Sequence, residues 1–72
     1  MKIGDMVEYD RQRGAPPVIA ELLAIEGDTV SVLAVHVLNE NNVVMSEYSN
    51  AGHKFTLPVS EVRPARQFRH TS

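Results

Sequence analysis

The stretch VIAELLAIEGDTVSVLAVHVL, residues 18–38, decides the fold. It consists of two apolar segments joined by EGD at 26–28, and a glycine beside acidic residues is typical of a tight turn because glycine readily takes positive φ. The first segment, 18–25, contains good helix formers, but it is only eight residues long and follows two prolines. An apolar run of this length between turn signals favours a buried strand. We therefore predict a strand at 18–25 paired with a strand at 29–38.

Shorter β segments lie on both sides of this hairpin. We predict a first strand at 6–9, a fourth strand at 43–48 and a fifth strand at 53–57. The loop NENN at 39–42 joins the third strand to the fourth, and asparagine tolerates the left-handed conformation that such loops need. A single 3₁₀ turn is predicted at 59–62. Several short strands with no helix between them indicate an all-β domain, a small five-stranded antiparallel barrel.

The length and composition bound the remaining possibilities. The chain has 72 residues and no cysteine, which corresponds to one domain without disulfides or thiolate metal sites. We predict the domain at residues 1–64 and a flexible basic tail at residues 65–72. The N-terminus has no apolar stretch typical of a signal peptide, and no segment approaches the roughly 18 apolar residues of a membrane span. We therefore expect a cytoplasmic protein that does not interact with membranes.

Three stretches resemble the SH3-like small-barrel superfamily, and most closely its Tudor and KOW-type domains. The opening IGDMVEY at 3–9 resembles their first strand, residues 18–32 resemble the Tudor strand pair that meets at a short acidic turn, and FTLPVSEVRP at 55–64 resembles their closing strand and 3₁₀ turn. The resemblance covers residues 3–64 and implies an SH3-like barrel. Tudor domains that read methylated residues use an aromatic cage, but two prolines at 16–17 stand where the loop aromatics are expected.

No group of residues predicts catalysis. The serines lack the G-x-S-x-G context of a nucleophile, and the histidines, which are His36, His53 and His70, have no cysteines to complete a metal site. Asp5, Glu8 and Asp10 are interpreted as the solvated face of a strand and its loop. The chain also resembles type II dihydrofolate reductases in length and barrel layout, but KFTL at 54–57 replaces their Val-Gln-Ile-Tyr pore run. We predict no enzyme, no cofactor, no metal and no small-molecule substrate.

The third predicted strand is apolar on both faces. An antiparallel sheet with one solvated face should alternate apolar and polar residues, but residues 30–38 contain only Ser31 and His36 as polar side chains. In the first alternative, the strand is buried on both sides, or changes faces, within one chain. In the second alternative, the hairpin buries its second face against another subunit or a partner. The second alternative predicts a non-enzymatic binding or adaptor module that acts by protein–protein contacts and forms a homodimer or larger oligomer. Its predicted interface residues are Leu33, Val35, Val37, Val43 and Met45.

The distribution of charge supports an alternative function. The net charge is −2, and residues 15–52 contain five acidic residues and no Lys or Arg, whereas residues 54–72 contain four basic residues and one acidic residue. Arginine binds phosphate well and an aromatic ring stacks on a base, so the alternative is a nucleic-acid-binding accessory protein. Its predicted contacts are Arg11, Arg13, Arg63, Arg66, Phe68 and Arg69. A tail that only aids solubility stays open as the simpler interpretation.

Overall fold

The structure is a computed structural model that describes residues 2–10, 17–44 and 52–69. Within these ranges it contains five strands and one 3₁₀ turn at Val59–Glu61. The strands are β1 (Met6–Asp10), β2 (Pro17–Glu26), β3 (Thr29–Val37), β4 (Lys54–Pro58) and β5 (Arg63–Pro64). They form one antiparallel sheet in the order β4-β3-β2-β1-β5. The predicted all-β fold is confirmed, but the sheet is open, with β4 and β5 at its edges, so the predicted closure into a barrel is not confirmed.

The central hairpin forms as predicted. β2 is a strand and not a helix, and it pairs with β3 up to Glu26↔Thr29. Only two residues connect the strands, and Gly27 has a φ of 61°, a value that glycine adopts without steric cost. The Thr29 hydroxyl donates a hydrogen bond to the Glu26 carbonyl oxygen at 3.1 Å. The tight turn therefore sets the register of the longest strand pair in the sheet.

One face of the sheet carries the hydrophobic core. Alternate residues of each strand point to this face, and Phe55 and Leu57 of β4 pack against the buried cluster. The ring centroids of Tyr9 on β1 and Phe55 on β4 are 6.3 Å apart. In a flat sheet these strands would be separated by about 14 Å, three strand spacings. The sheet is therefore strongly curled around its core. The buried core residues are Val7, Tyr9, Val18, Ala20, Leu22, Val30, Val32, Ala34, Val37 and Val62.

A β-bulge changes the face that β3 presents to the core. Ile19 pairs with His36, but the next residue of β2, Ala20, pairs with Ala34, so Val35 is an extra residue. Before the bulge the even-numbered residues are buried, and after it Val37 is buried instead of His36. An extra residue reverses the alternation in this way. The apolar character of both predicted faces is thus explained in part within one chain.

The C-terminal half differs from the prediction in two places. The predicted fourth strand at 43–48 is represented by two isolated bridges, Leu38↔Val44 and Val43↔Arg69, and residues 45–48 lie outside the described ranges. β5 was not predicted, because a two-residue strand of sequence RP has no β pattern. The loop at 39–42 is a turn, as predicted. Asn39 donates its backbone N–H to the Val43 carbonyl oxygen at 2.9 Å, and Asn42 has a φ of 61°.

Candidate functional site

The face of the sheet opposite the core, which we call the outer face, contains a row of residues that the chain itself covers. Two members of this row, one apolar and one acidic, have almost no exposed surface: Ile19 is 0% exposed and Glu8 is 2% exposed. Residues 65–69, which we call the C-terminal segment, pass from Glu8 on β1 to His36 on β3. The covered row consists of Glu8, Ile19 and His36, with the exposed Arg63 at its edge, and these residues are cross-strand neighbours.

The Glu8 carboxylate fixes the C-terminal segment to the sheet. Its Oε1 atom accepts hydrogen bonds from the backbone N–H of Arg66 at 2.7 Å and from Arg66 Nε at 3.0 Å. Its Oε2 atom accepts from Arg63 Nε at 2.7 Å and from Arg66 Nη2 at 2.9 Å. Charge-assisted hydrogen bonds of this kind are among the strongest in proteins. The buried charge is therefore fully paired, as burial of a carboxylate requires.

These contacts alter the acidity of Glu8. The hydrogen bonds from the Arg66 side chain hold the pKa of Glu8 below its ordinary value, against the opposing effect of burial. The neighbouring charge of Arg63 acts in the same direction as Arg66. Arg63 also donates through Nη2 to Asp10 Oδ1 at 2.9 Å. The interpretation of Glu8 as part of a solvated face is wrong, because arginines 55 and 58 residues later in the chain cover it.

The C-terminal segment and the turn at 39–42 form the two walls of a cleft of about 630 Å³. Two backbone hydrogen bonds join the walls: Val44 N–H donates to the Arg69 carbonyl oxygen at 2.7 Å, and Arg69 N–H donates to the Asn42 carbonyl oxygen at 2.9 Å. Arg66 Nη1 also reaches Asn42 Oδ1 at 3.4 Å. The lining is polar except for one aromatic ring. The lining residues are Asn41, Asn42, Arg66, Gln67, Phe68 and Arg69.

Three of the six predicted nucleic-acid contacts, Arg66, Phe68 and Arg69, line this cleft together. Arg63 lies at the covered row instead, and Arg11 and Arg13 lie outside the described residues. The sequence contained one further signal for the cleft, the amide-rich loop NENN, which was interpreted only as a turn. No sequence signal connected that loop to the C-terminal segment, since the two are joined by tertiary contacts alone.

The described part of the tail is attached to the domain. Residues 65–69 hydrogen-bond to β1, to Asn42 and to Val44, and the Phe68 ring lies 5.6 Å from the His36 ring. The division into a domain at 1–64 and a flexible tail at 65–72 stays a prediction about motion. The structure adds that residues 65–69 supply Arg66 to the buried Glu8 and place Phe68 against His36, the cross-strand neighbour of the buried Ile19.

The predicted interface residues are distributed over several environments. Val37 is 2% exposed and belongs to the chain's own core. Leu33, Val35 and Val43 are half-buried, and Met45 lies outside the described residues. Whether these residues contact a partner stays a prediction.

A second row on the outer face lies beside the covered row and is open to solvent. The open row consists of Met6, Glu21, Leu33 and Lys54, again as cross-strand neighbours. Met6 is 38% exposed, and Ile3, just before β1, is 66% exposed. The exposure of these two apolar residues is not predictable from the sequence, because an apolar residue at the start of a strand has the same pattern whichever face it occupies.

The described ranges contain neither a metal-binding cluster nor a membrane-spanning helix. No three side chains of His, Asp or Glu come together there as a possible metal-binding group. None of the secondary structure in those ranges is a helix of the length and hydrophobicity that crossing a lipid bilayer requires.

Comparison with known proteins gives no relative. No protein-family model matches the chain, and neither does any curated protein or solved structure.

Proposed function

We propose that the protein is a small non-enzymatic binding module of the cytoplasm that acts by protein–protein contacts and associates with itself. The observation that carries this proposal is the open row: it contains two apolar residues, the exposed Met6 and the half-buried Leu33, one on each side of Glu21. Apolar side chains on a sheet face that the rest of the chain leaves open can be covered by another chain, and interfaces are formed from such surfaces. A chain of 72 residues also gains stability from association, because a short domain buries a small fraction of its surface.

We also propose that the curled sheet is an SH3-like barrel of the Tudor or KOW kind. The contact between Tyr9 and Phe55 supports this, because it brings β1 and β4 together across the core. The 3₁₀ turn between β4 and β5 lies where the resemblance expects it.

The order of charges in the open row favours a second copy as the partner. Leu33 has the acidic Glu21 on one side and the basic Lys54 on the other. A two-fold axis through Leu33 would place Glu21 of one copy opposite Lys54 of the other copy, twice. Such self-complementarity is what a symmetric dimer interface requires, and the two leucines would meet at its centre.

The test is the mass of the protein in solution, measured by light scattering after size-exclusion chromatography. Leu33→Glu should reduce an oligomer to a monomer, because it places two like charges at the axis. Ser60→Glu is the matched control, since Ser60 is exposed in the 3₁₀ turn and not on the sheet, and it should leave the mass unchanged. A wild-type chain that is monomeric at about 1 mM, where an interface of about 4 kcal/mol is half-occupied, would show that self-association is wrong.

A charge exchange tests the geometry of the proposed dimer separately. Glu21→Lys and Lys54→Glu should each weaken association, because each puts like charges opposite one another. The double variant should restore association, because the pairs form again with reversed sign. Failure of the double variant to recover would exclude the axis through Leu33 while leaving association itself untouched.

The cleft favours a second candidate function, nucleic-acid binding. Arg66, Phe68 and Arg69 lie together in its lining, and a positive groove with an aromatic ring is typical of single-strand binding. Arg63 and Arg66 are paired with Glu8 and Asp10. The affinity of this site for a nucleic acid would therefore depend little on the total charge of the protein. The test is binding of a labelled single-stranded oligonucleotide, followed by fluorescence anisotropy.

A further inference from the structure

We infer that the cleft between the turn at 39–42 and the C-terminal segment is a site for one unpaired nucleotide, with its phosphate at Arg69 and its base between Phe68 and the amides of Asn41 and Gln67. This inference rests on the second candidate function and specifies its ligand. The cleft volume of about 630 Å³ lies within the range of small-molecule sites, which is roughly 300–1,000 Å³.

The charges near the cleft allow for a single phosphate. Arg66 gives its Nε and Nη2 atoms to Glu8, and Arg63 is shared between Glu8 and Asp10. Two guanidinium groups are thus balanced by two carboxylates. Arg69 makes no ion pair with any other residue of the described ranges, and it is exposed. Among the lining residues, Arg69 therefore has the one guanidinium that no carboxylate of the described ranges pairs with, and it matches one phosphate group; Glu40 of the turn is exposed and lies outside the lining.

The remaining lining groups match a nucleobase. The side-chain amides of Asn41 and Gln67 are exposed and form no hydrogen bond with another described residue. Each amide is both a donor and an acceptor, as is the edge of a base, and asparagine and glutamine commonly recognise bases in this way. An acidic peptide would instead require several positive donors, which the cleft lacks. A nucleotide therefore fits the lining better than a peptide does.

The aromatic ring and the cleft walls are held in place. The Phe68 ring contacts the His36 ring at 5.6 Å, tilted by 59°, which leaves Phe68 in the lining but restricts its motion. Base stacking on an aromatic side chain contributes about 1–3 kcal/mol in single-strand complexes. The two backbone hydrogen bonds of Arg69 fix the opposite wall, and a rigid site loses less entropy when a nucleotide binds.

The first experiment locates the site by NMR on the full chain. Adenosine 5′-monophosphate, inorganic phosphate and a single-stranded RNA of about eight nucleotides are added separately, and the side-chain amide signals of Asn41 and Gln67 are followed. We expect both signals to shift with the mononucleotide and the RNA but not with phosphate alone. If the RNA binds more tightly than the mononucleotide, the natural ligand is a nucleotide within a strand. If the two bind equally, the natural ligand is a free nucleotide.

The second experiment measures how the affinity for the single-stranded RNA depends on salt concentration. Neutralising one phosphate of a single strand gives a slope of about −0.7 in log K against log salt concentration. We expect this slope for the wild type and a slope near zero for Arg69→Gln, with about tenfold weaker binding because one charged hydrogen bond is lost. Lys2→Gln is the control, since it removes an equal charge from an exposed position before β1, and it should change neither value.

The possible results separate the inference from the function on which it rests. If the RNA binds but the Asn41 and Gln67 signals stay unchanged, the cleft is the wrong site, and nucleic-acid binding stands. If phosphate alone shifts the NMR signals of Arg69 and of the Asn41 and Gln67 side-chain amides as strongly as the mononucleotide does, the site recognises an anion and the inference is overturned. If neither the RNA nor the mononucleotide binds, both the inference and the second candidate function are wrong.

Discussion

The covered row and the open row lie side by side on the outer face, on the same strands, yet they have different environments. In the covered row Glu8 is 2% exposed and accepts four hydrogen bonds. In the open row Glu21 is only half-buried, and so is Leu33 beside it. Each row contains an acidic residue beside an apolar one: Glu8 lies beside Ile19 in the covered row, and Glu21 lies beside Leu33 in the open row. What separates them is whether a distant part of the chain supplies partners.

The comparison predicts a large difference between two apolar truncations. Ile19→Ala should lower the free energy of unfolding by about 2–5 kcal/mol, as in a core, because Ile19 is 0% exposed. Leu33→Ala should cost clearly less, about 1 kcal/mol, because its side chain keeps part of its solvent contact. Urea denaturation at a protein concentration where both variants are monomeric measures the two values. Equal costs would mean that the C-terminal segment does not shield its row in solution.

The second prediction compares the two acids. Glu8→Gln should destabilise the protein by about 2–3 kcal/mol, because it leaves Arg63 and Arg66 without their shared carboxylate. The cost should be below that of a fully buried pair, since the two arginine side chains are 44% and 42% exposed. The matched change in the open row, Glu21→Gln, should alter stability by less than about 0.5 kcal/mol. Similar effects of both substitutions in chemical denaturation would contradict the assignment of Glu8 as the attachment point.

The smallest expected effect is the dependence on pH. The pKa of Glu8 is lowered in the folded protein from its ordinary value of 4.5, so the folded state binds this proton more weakly than the unfolded state does. The resulting stability is fully present above pH 4.5 and is lost as the pH falls through the lower, folded pKa. We expect the difference in unfolding free energy between wild type and Glu8→Gln to shrink below pH 4.5. A constant difference would show that Glu8 is not paired as a carboxylate.

Local sequence signals were sufficient for most of the sheet. The apolar runs on either side of Gly27 and the turn at 39–42 predicted β2, β3 and the loop between residues 38 and 43, because periodicity and turn chemistry act over a few residues. The position of the bulge at Val35 was not predicted, since it depends on how the sheet curls around the core. β5 was missed because its two residues pair with β1 only after the rest of the sheet is present.

The candidate site depends even more than the sheet does on tertiary contacts that local sequence signals cannot predict. The basic and aromatic residues of the C-terminal segment were recognised from their composition, and three of them line the cleft. Glu8 was misinterpreted, because an acid in an alternating strand has the same pattern whether water or an arginine lies over it. The participation of Asn41 and Gln67 also depends on a contact between segments that are far apart in sequence.

The separation between Glu8 and Arg66, 58 residues, has a consequence for how the chain is made. A ribosome releases β1 before any of the strands that pair with it, and it releases Arg66 after all five strands. Throughout that interval the Glu8 carboxylate is hydrated and the Ile19 side chain is accessible to other molecules, including chaperones. During synthesis, Glu8 therefore acquires its guanidinium partners only after the strands of the sheet have been made.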